Sequence, residues 1–234
     1  MTPDTDTKRE GYVAALRFPA LNRAFDPLVR VTMRERRFKR ELLDQAAIGS
    51  TQRVLDLGCG TGTLAILAKE EVPKAEVVGF DGDPSILKQA LAKADAAGVK
   101  VRFDHGYSTE LPYEVEFFDR VLSTLFFHHL TTDDKRTTLR EVARVLRPGG
   151  ELHIADFTKA GDPLMALAFT VIRPFDGLER TRVNARGQLG AMVSEAGFPA
   201  VSETRRFRTA FGTLGLMKAS RGDEAGAVEP RPLT

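Results

Sequence analysis

Residues 54–70 read VLDLGCGTGTLAILAKE and residues 77–84 read VVGFDGDP. No other stretch of the chain restricts its fold so tightly. Val54-Leu55-Asp56-Leu57 is too short and too apolar for a surface helix, which predicts a strand buried on both faces. Gly58, Gly60 and Gly62 remove three β-carbons within five residues. The backbone can then turn sharply and approach a ligand closely. Leu64, Ile66, Leu67 and Ala68 give the following helix an apolar face for the sheet. The second apolar strand ends in an acid, Asp81. Strand, glycine turn, helix and second strand together build a nucleoside-binding crevice.

Three glycine motifs compete for this loop, and two fail. A phosphate-binding P-loop needs Gly-Lys-Ser/Thr, and none follows Gly62. The dinucleotide fingerprint needs glycine at position 63, where the chain has Thr63. What remains is Asp-x-Gly-x-Gly-x-Gly, running from Asp56 to Gly62. Phe118-Asp119-Arg120-Val121-Leu122 and Leu146-Arg147-Pro148-Gly149-Gly150-Glu151-Leu152 follow further along. In these three blocks the chain resembles the class I S-adenosylmethionine-dependent methyltransferases. The resemblance is nearest to their small-molecule and lipid branch, and it covers roughly residues 52–157.

The resemblance implies an α/β fold: a Rossmann-like seven-stranded, mostly parallel sheet with the last strand antiparallel, plus an N-terminal helical cap. It also implies S-adenosylmethionine as methyl donor, with S-adenosylhomocysteine as product. That cofactor has no pyrophosphate, so the third dinucleotide glycine loses its purpose. The resemblance places it against Asp56, Gly58, Gly60, Thr61, Gly62, Asp81, Gly82, Tyr107, Ser108 and Thr124. Asp56 would offset the ammonium and sulfonium, directly or through water. Asp81, nineteen residues past Gly62, would accept from both ribose hydroxyls. Related proteins usually hold the adenine amino group with an acid after the third strand, whereas this chain has Tyr107 there. A backbone N–H at Ser108 and stacking by Tyr107 are the expected substitutes.

Length and composition fit one domain with a sizeable core. Of 234 residues, 42% are hydrophobic and 28% charged, and the net charge of +2 is too near balance to indicate nucleic acid. The single cysteine, Cys59, excludes a disulfide framework and a thiolate metal cluster, and no metal site is expected. No signal region or membrane-length apolar run is present, so the cytoplasm is the expected compartment.

Residues 1–48 are expected to form the helical cap, broken by Pro19 and Pro27. The methyltransferase core is assigned to 49–219, with a cap insertion at 159–185 and a disordered tail at 220–234. Within the core, strands are predicted at 99–103, 119–125, 151–156, 201–207 and 214–219. Helices are predicted at 85–97, 135–146, 163–175 and 186–196, with a sharp turn at 147–150.

Methyl transfer is an in-line displacement, so the protein must align the nucleophile, exclude water and manage one proton. His128 and His129, just past the fourth strand, are the candidate bases, His128 first. Ser123-Thr124-Leu125-Phe126 lacks the Pro-Pro-Tyr signature of enzymes that methylate base amines, and Cys59 cannot serve cytosine-C5 chemistry. These absences leave a small-molecule or lipid-like acceptor. Phe18, Phe25, Phe126, Phe127 and the 163–175 stretch would line an apolar pocket for it. Arg30, Arg34, Arg36, Arg37, Lys39 and Arg40 form a basic run, read first as a solvated helix face. Peripheral contact with an anionic membrane is its alternative reading. A non-catalytic S-adenosylmethionine-binding module is the remaining rival.

Overall fold

The computed structural model describes residues 35–222. The chain opens with α1 (Glu35–Ala46), then β1 (Arg53–Leu57), α2 (Thr63–Glu71), β2 (Glu76–Asp81), α3 (Pro84–Ala96) and β3 (Arg102–His105). Next come β4 (Phe118–Thr124), a short 3-10 turn (Phe127–His129), α4 (Thr132–Val145) and β5 (Leu146–Phe157). The last elements are α5 (Pro163–Asp176), α6 (Arg182–Ala185), α7 (Leu189–Glu195), β6 (Ala200–Thr209) and β7 (Gly212–Ser220). The sheet order is β3-β2-β1-β4-β5-β7-β6, with β7 antiparallel to both its neighbours. This is the expected seven-stranded, mostly parallel sheet. The strand order reverses between β1 and β4, which puts the ligand crevice at their carboxyl ends.

Strand alternation divides the core into two layers. Leu55, Leu57, Val121 and Ile154 face α4 and α7, packing with Phe118, Phe127, Leu139 and Val193. Val54, Leu122 and Ala155 face the other way, toward α1 and α2, with Phe38, Leu42 and Leu64. Side chains cap several helices where the chain leaves the sheet. Asp83 accepts from Ser85 N, Thr131 from Asp134 N, and Asp162 from Met165 N.

Residues 1–34 of the expected cap, with Phe18, Phe25, Arg30 and Arg34, lie outside the described residues. Glu35–Ala46 is a layer of the core and not a lid, because Phe38, Leu42, Leu43 and Ala46 are buried against the sheet. The Ala46 carbonyl accepts from Arg120 Nε at the amino end of β4, so α1 runs antiparallel to the strands it covers. In the basic run Arg36, Arg37 and Arg40 are exposed, as the solvated-face reading expects, and Lys39 departs from it. It is 6% exposed and bonds Glu35 at 2.6 Å. The insertion also contributes to the core: α5 packs on β7, and its Phe169 stacks on Phe157.

Four boundaries differ from the sequence reading, each for a local reason. Gly98, at φ 69°, closes α3, and Val99 N bonds Ala94 O, so β3 starts only at Arg102. The expected helix at 186–196 begins only at Leu189: Gly187, at φ 68°, separates α7 from the short preceding helix α6, which the sequence pattern did not predict. The 147–150 segment is a bulge inside β5 rather than a turn before it, since the register steps from Phe118↔Leu146 to Arg120↔Glu151. Arg221, expected in the tail, closes that bulge: its N–H donates to Gly150 O and its carbonyl accepts from Gly149 N. Residues 223–234 lie outside the described residues.

Leu42 is fully buried beneath α1. Leu42→Ala is expected to lower the unfolding free energy by about 2–5 kcal/mol in urea titration. A loss below ~0.5 kcal/mol would mean that α1 is dispensable.

Candidate active site

The glycine loop opens the crevice floor. Gly58 N and Cys59 N both donate to Phe80 O, at 2.9 and 3.1 Å, which folds the loop back over β2. Gly58 and Gly60 both have positive φ, 70° and 53°, but they are glycines for different reasons. A β-carbon on Gly58 would stand 2.3 Å from the Phe126 ring, whereas one on Gly60 would meet nothing within 4 Å. Gly58 therefore makes room for the wall, and Gly60 leaves bare main chain facing the crevice. Gly62 ends the loop and starts α2. Burial pushes the Cys59 thiol up, which keeps it from acting as a nucleophile.

Two carboxylates flank this floor. Asp56 is fully buried; its Oδ2 accepts from Ala65 N at 3.0 Å, and its Oδ1 has no hydrogen-bond partner among the described residues. Burial pushes its carboxyl up to about 7, only partly offset by the Lys39 ammonium, and Asp81 adds repulsion. Asp81, at the end of β2, accepts from Gly60 N at 2.9 Å and from Asp83 N at 3.0 Å. Burial raises its pKa as well. A buried acceptor without a donor is rare in a folded protein, and two carboxyls held above their usual range are short of positive charge, which Lys39 offsets only in part for Asp56. The ammonium of S-adenosylmethionine has the charge and the donors this arrangement lacks. The residues present fit the cofactor.

The remaining expected contacts are drawn together around the same edge. Gly82 follows Asp81, and its carbonyl lies 3.1 Å from His105 Nε2. Ser108 is buried with its hydroxyl 2.8 Å from that of Thr138, so its side chain is committed to α4. Tyr107 closes the same loop through its carbonyl, which accepts from Glu110 N. Thr124 ends β4 opposite Ala155, and Thr61 lies in the glycine loop.

The wall after β4 carries the histidines. Leu125 adopts φ 53°, a conformation side chains resist, and the 127–129 turn follows at once. His128 is 3% exposed, and its Nδ1 lies 2.7 Å from Asp156 Oδ1. Asp156 also accepts from His128 N at 3.3 Å and Phe157 N at 2.7 Å, which locks ring and turn together. His129 stacks obliquely on His128, centroids 3.9 Å apart. Burial lowers its pKa well below the usual histidine range, and the neighbouring His128, Arg180 and Lys135 add to that, which disfavours a protonated His129.

Sequence reasoning missed three of these residues. Asp156 ends an apolar strand just as Asp81 does, and that shared pattern was the available signal. Lys135 is fully buried; its ammonium donates to Leu130 O at 2.6 Å and Arg180 O at 2.8 Å, and desolvation lowers its pKa to about 8. Lys39 sits among five other basic residues, and only packing distinguishes it.

A family model described as a methyltransferase domain matches residues 54–150. Together with the sheet order and the crevice, this match places the chain in the class I S-adenosylmethionine-dependent methyltransferase family, to which it belongs. A demethylmenaquinone methyltransferase from Thermus thermophilus is 38% identical over 145 residues, covering 60% of this chain and 65% of the relative. One from Deinococcus radiodurans is 34% identical over 169 residues, covering 71% and 69%. The YcgJ protein of Bacillus subtilis shares the fold, with a TM-score of 0.63 at 20% identity over 80% of this chain and 98% of that one.

Two outcomes follow from this geometry. A bound ammonium favours ionised Asp56, so cofactor affinity is expected to rise between about pH 6 and about pH 8, with proton release detectable by calorimetry in different buffers. Because folding raises this pKa, the carboxyl loses folding stability as pH climbs from its ordinary range toward 7. Asp56→Asn should therefore melt higher than the parent near pH 8 without cofactor, yet bind cofactor at least ~10-fold more weakly. Separately, Gly60→Ala should cost only about 1–2 kcal/mol of stability while weakening cofactor binding. Gly58→Ala should destabilise more, because Phe126 must move.

Proposed function

We propose that the protein transfers a methyl group from S-adenosylmethionine to a ring carbon of an apolar, quinol-type acceptor. The observation that carries this reading is the buried His128–Asp156 pair at the carboxyl ends of β4 and β5. The names of the Thermus and Deinococcus relatives support the acceptor class.

When bound, the cofactor supplies an electrophilic methyl carried on positive sulfur. Asp56, Asp81 and the 58–62 backbone would hold it. A quinol ring carbon becomes strongly nucleophilic once a ring hydroxyl loses its proton, so a base is required. The Asp156 carboxylate holds the proton on His128 Nδ1, which leaves Nε2 as the basic nitrogen. The same carboxylate stabilises the imidazolium that forms on protonation. Neutral His129, stacked alongside, adds no opposing charge. Phe157 lies edge-on to His128 at 5.0 Å, and Phe126 and Phe127 pack edge-on against each other where the same turn begins. Lys135 ties the turn after β4 to the segment before α6, which fixes the height of the histidines above the sheet.

A second reading, a methyltransferase working at a membrane surface, draws on α5 and the loop after it. Leu164, Leu167 and Leu178 there are each more than half exposed. No helix among the described residues is long and apolar enough to cross a membrane. Sedimentation with anionic vesicles tests this reading; absence of any salt-sensitive binding would remove it.

Reduced 1,4-naphthoquinol with labelled cofactor is expected to yield a ring-methylated product, while the oxidised quinone, which has no hydroxyl proton, is expected to yield none. His128→Ala should lower kcat about 10²–10⁴-fold with cofactor affinity unchanged by calorimetry. A loss below ~10-fold would reject the base role, and methylation confined to oxygen would reject the ring-carbon assignment.

A further inference from the structure

Lys135 stands in the first turn of α4 with no exposed surface. The position is unfavourable for a cation on two counts. Taking an ammonium out of water is costly, and the amino end of a helix repels positive charge. A methionine of the same length would fill the space without either cost. Packing alone therefore does not account for a lysine here.

The hydrogen bonds of the ammonium go to main-chain carbonyls rather than to a carboxylate. Nζ donates to Leu130 O at 2.6 Å and to Arg180 O at 2.8 Å. Leu130 caps the 3-10 turn that carries His128 and His129, whereas Arg180 lies between α5 and α6. One buried group thus joins the histidine turn to the segment beyond α5.

Its charge also has a counterpart. Desolvation lowers the Lys135 pKa to about 8; the Asp156 carboxylate opposes that, Arg180 adds to it and Asp134 opposes it. The charge of Lys135 reaches His129 as well. The charged and titratable groups around the His128–Asp156 pair are then His129 in the turn, Asp134 and Lys135 of α4, and Arg180 beyond α5. Asp156 already accepts from His128 and Phe157, so its balancing positive charge acts from farther away.

We infer that Lys135 is a positioning residue of the His128–Asp156 pair: its ammonium pins the histidine turn and supplies positive charge that balances the Asp156 carboxylate. The link to turnover rests on the base role proposed for His128; the link to the ring itself does not.

The test uses the full chain with ¹⁵N-histidine, whose ring nitrogens report tautomer and charge, His128 being assigned by His128→Ala. Two variants separate the bonds from the charge: Lys135→Gln retains N–H donors without charge, and Lys135→Met retains neither. A neighbouring cation opposes an imidazolium, so each variant is expected to move the protonation midpoint of His128 up by at least ~0.5 pH unit. The acid limb of the kcat/KM profile should move up with it, while affinity for S-adenosylmethionine stays that of the parent. In Lys135→Met, kcat should fall about 10-fold below that of Lys135→Gln, because the turn is no longer pinned.

A His128 midpoint unmoved in the variants, with cofactor affinity retained as proof of folding, would overturn the inference. So would equal kcat in Lys135→Gln and Lys135→Met, since the bonds would then position nothing. If Lys135→Met loses the cofactor, the midpoint in Lys135→Gln decides alone. A midpoint that moves while the kcat/KM profile stays in place would uphold the inference and reject His128 as the base.

Discussion

The buried carboxyl of Asp56 is the constraint around which the rest of this molecule is arranged. It occupies the centre of the sheet, one residue from the glycine loop, with a hydrogen bond to one oxygen only. A surface carboxylate could be satisfied by water, but this one depends on what the protein and its ligand bring to it. The α2 backbone supplies one donor, and Lys39 in α1 supplies a distant positive charge. The second oxygen has no donor among the described residues.

Asp156 plays a contrasting part on the other face of the sheet. It is also buried near the end of a strand, yet it is saturated by the His128 ring, the His128 N–H and the Phe157 N–H. One carboxylate is left with an unpartnered oxygen; the other is complete and fixes the His128 ring. Strand alternation makes the difference, since Asp56 points toward α1 and α2 while Asp156 points toward α4 and α7. The two acids therefore sit apart across the thickness of one sheet.

Much of this was legible in the order of residues. Buried strands announce themselves by short apolar runs, and the loop of alternating glycines admits few conformations, so Asp56, Gly58, Gly60 and Asp81 could be placed before any coordinates. The seven-stranded, mostly parallel sheet followed from the alternation of strands and helices and from the family blocks. What escaped depends on contacts between distant residues. Lys39 looks like its basic neighbours until α1 is packed, and Lys135 looks like a surface lysine of an amphipathic helix until Leu130 O and Arg180 O converge on it. The 147–150 bulge looks like a turn because its partner, Arg221, lies some seventy residues later in the chain. The late start of α7, after Gly187, was hidden because a glycine inside an amphipathic pattern reads as tolerated.

That closure by Arg221 has a practical side. Gly149 and Gly150 sit at the amino end of β5, so the exchange of backbone bonds with Arg221 holds the end of β7 at the edge of the sheet opposite the crevice. An affinity handle or surface linkage attached just after Gly222 would begin beneath the molecule, leaving the carboxyl edge facing outward for ligands to enter.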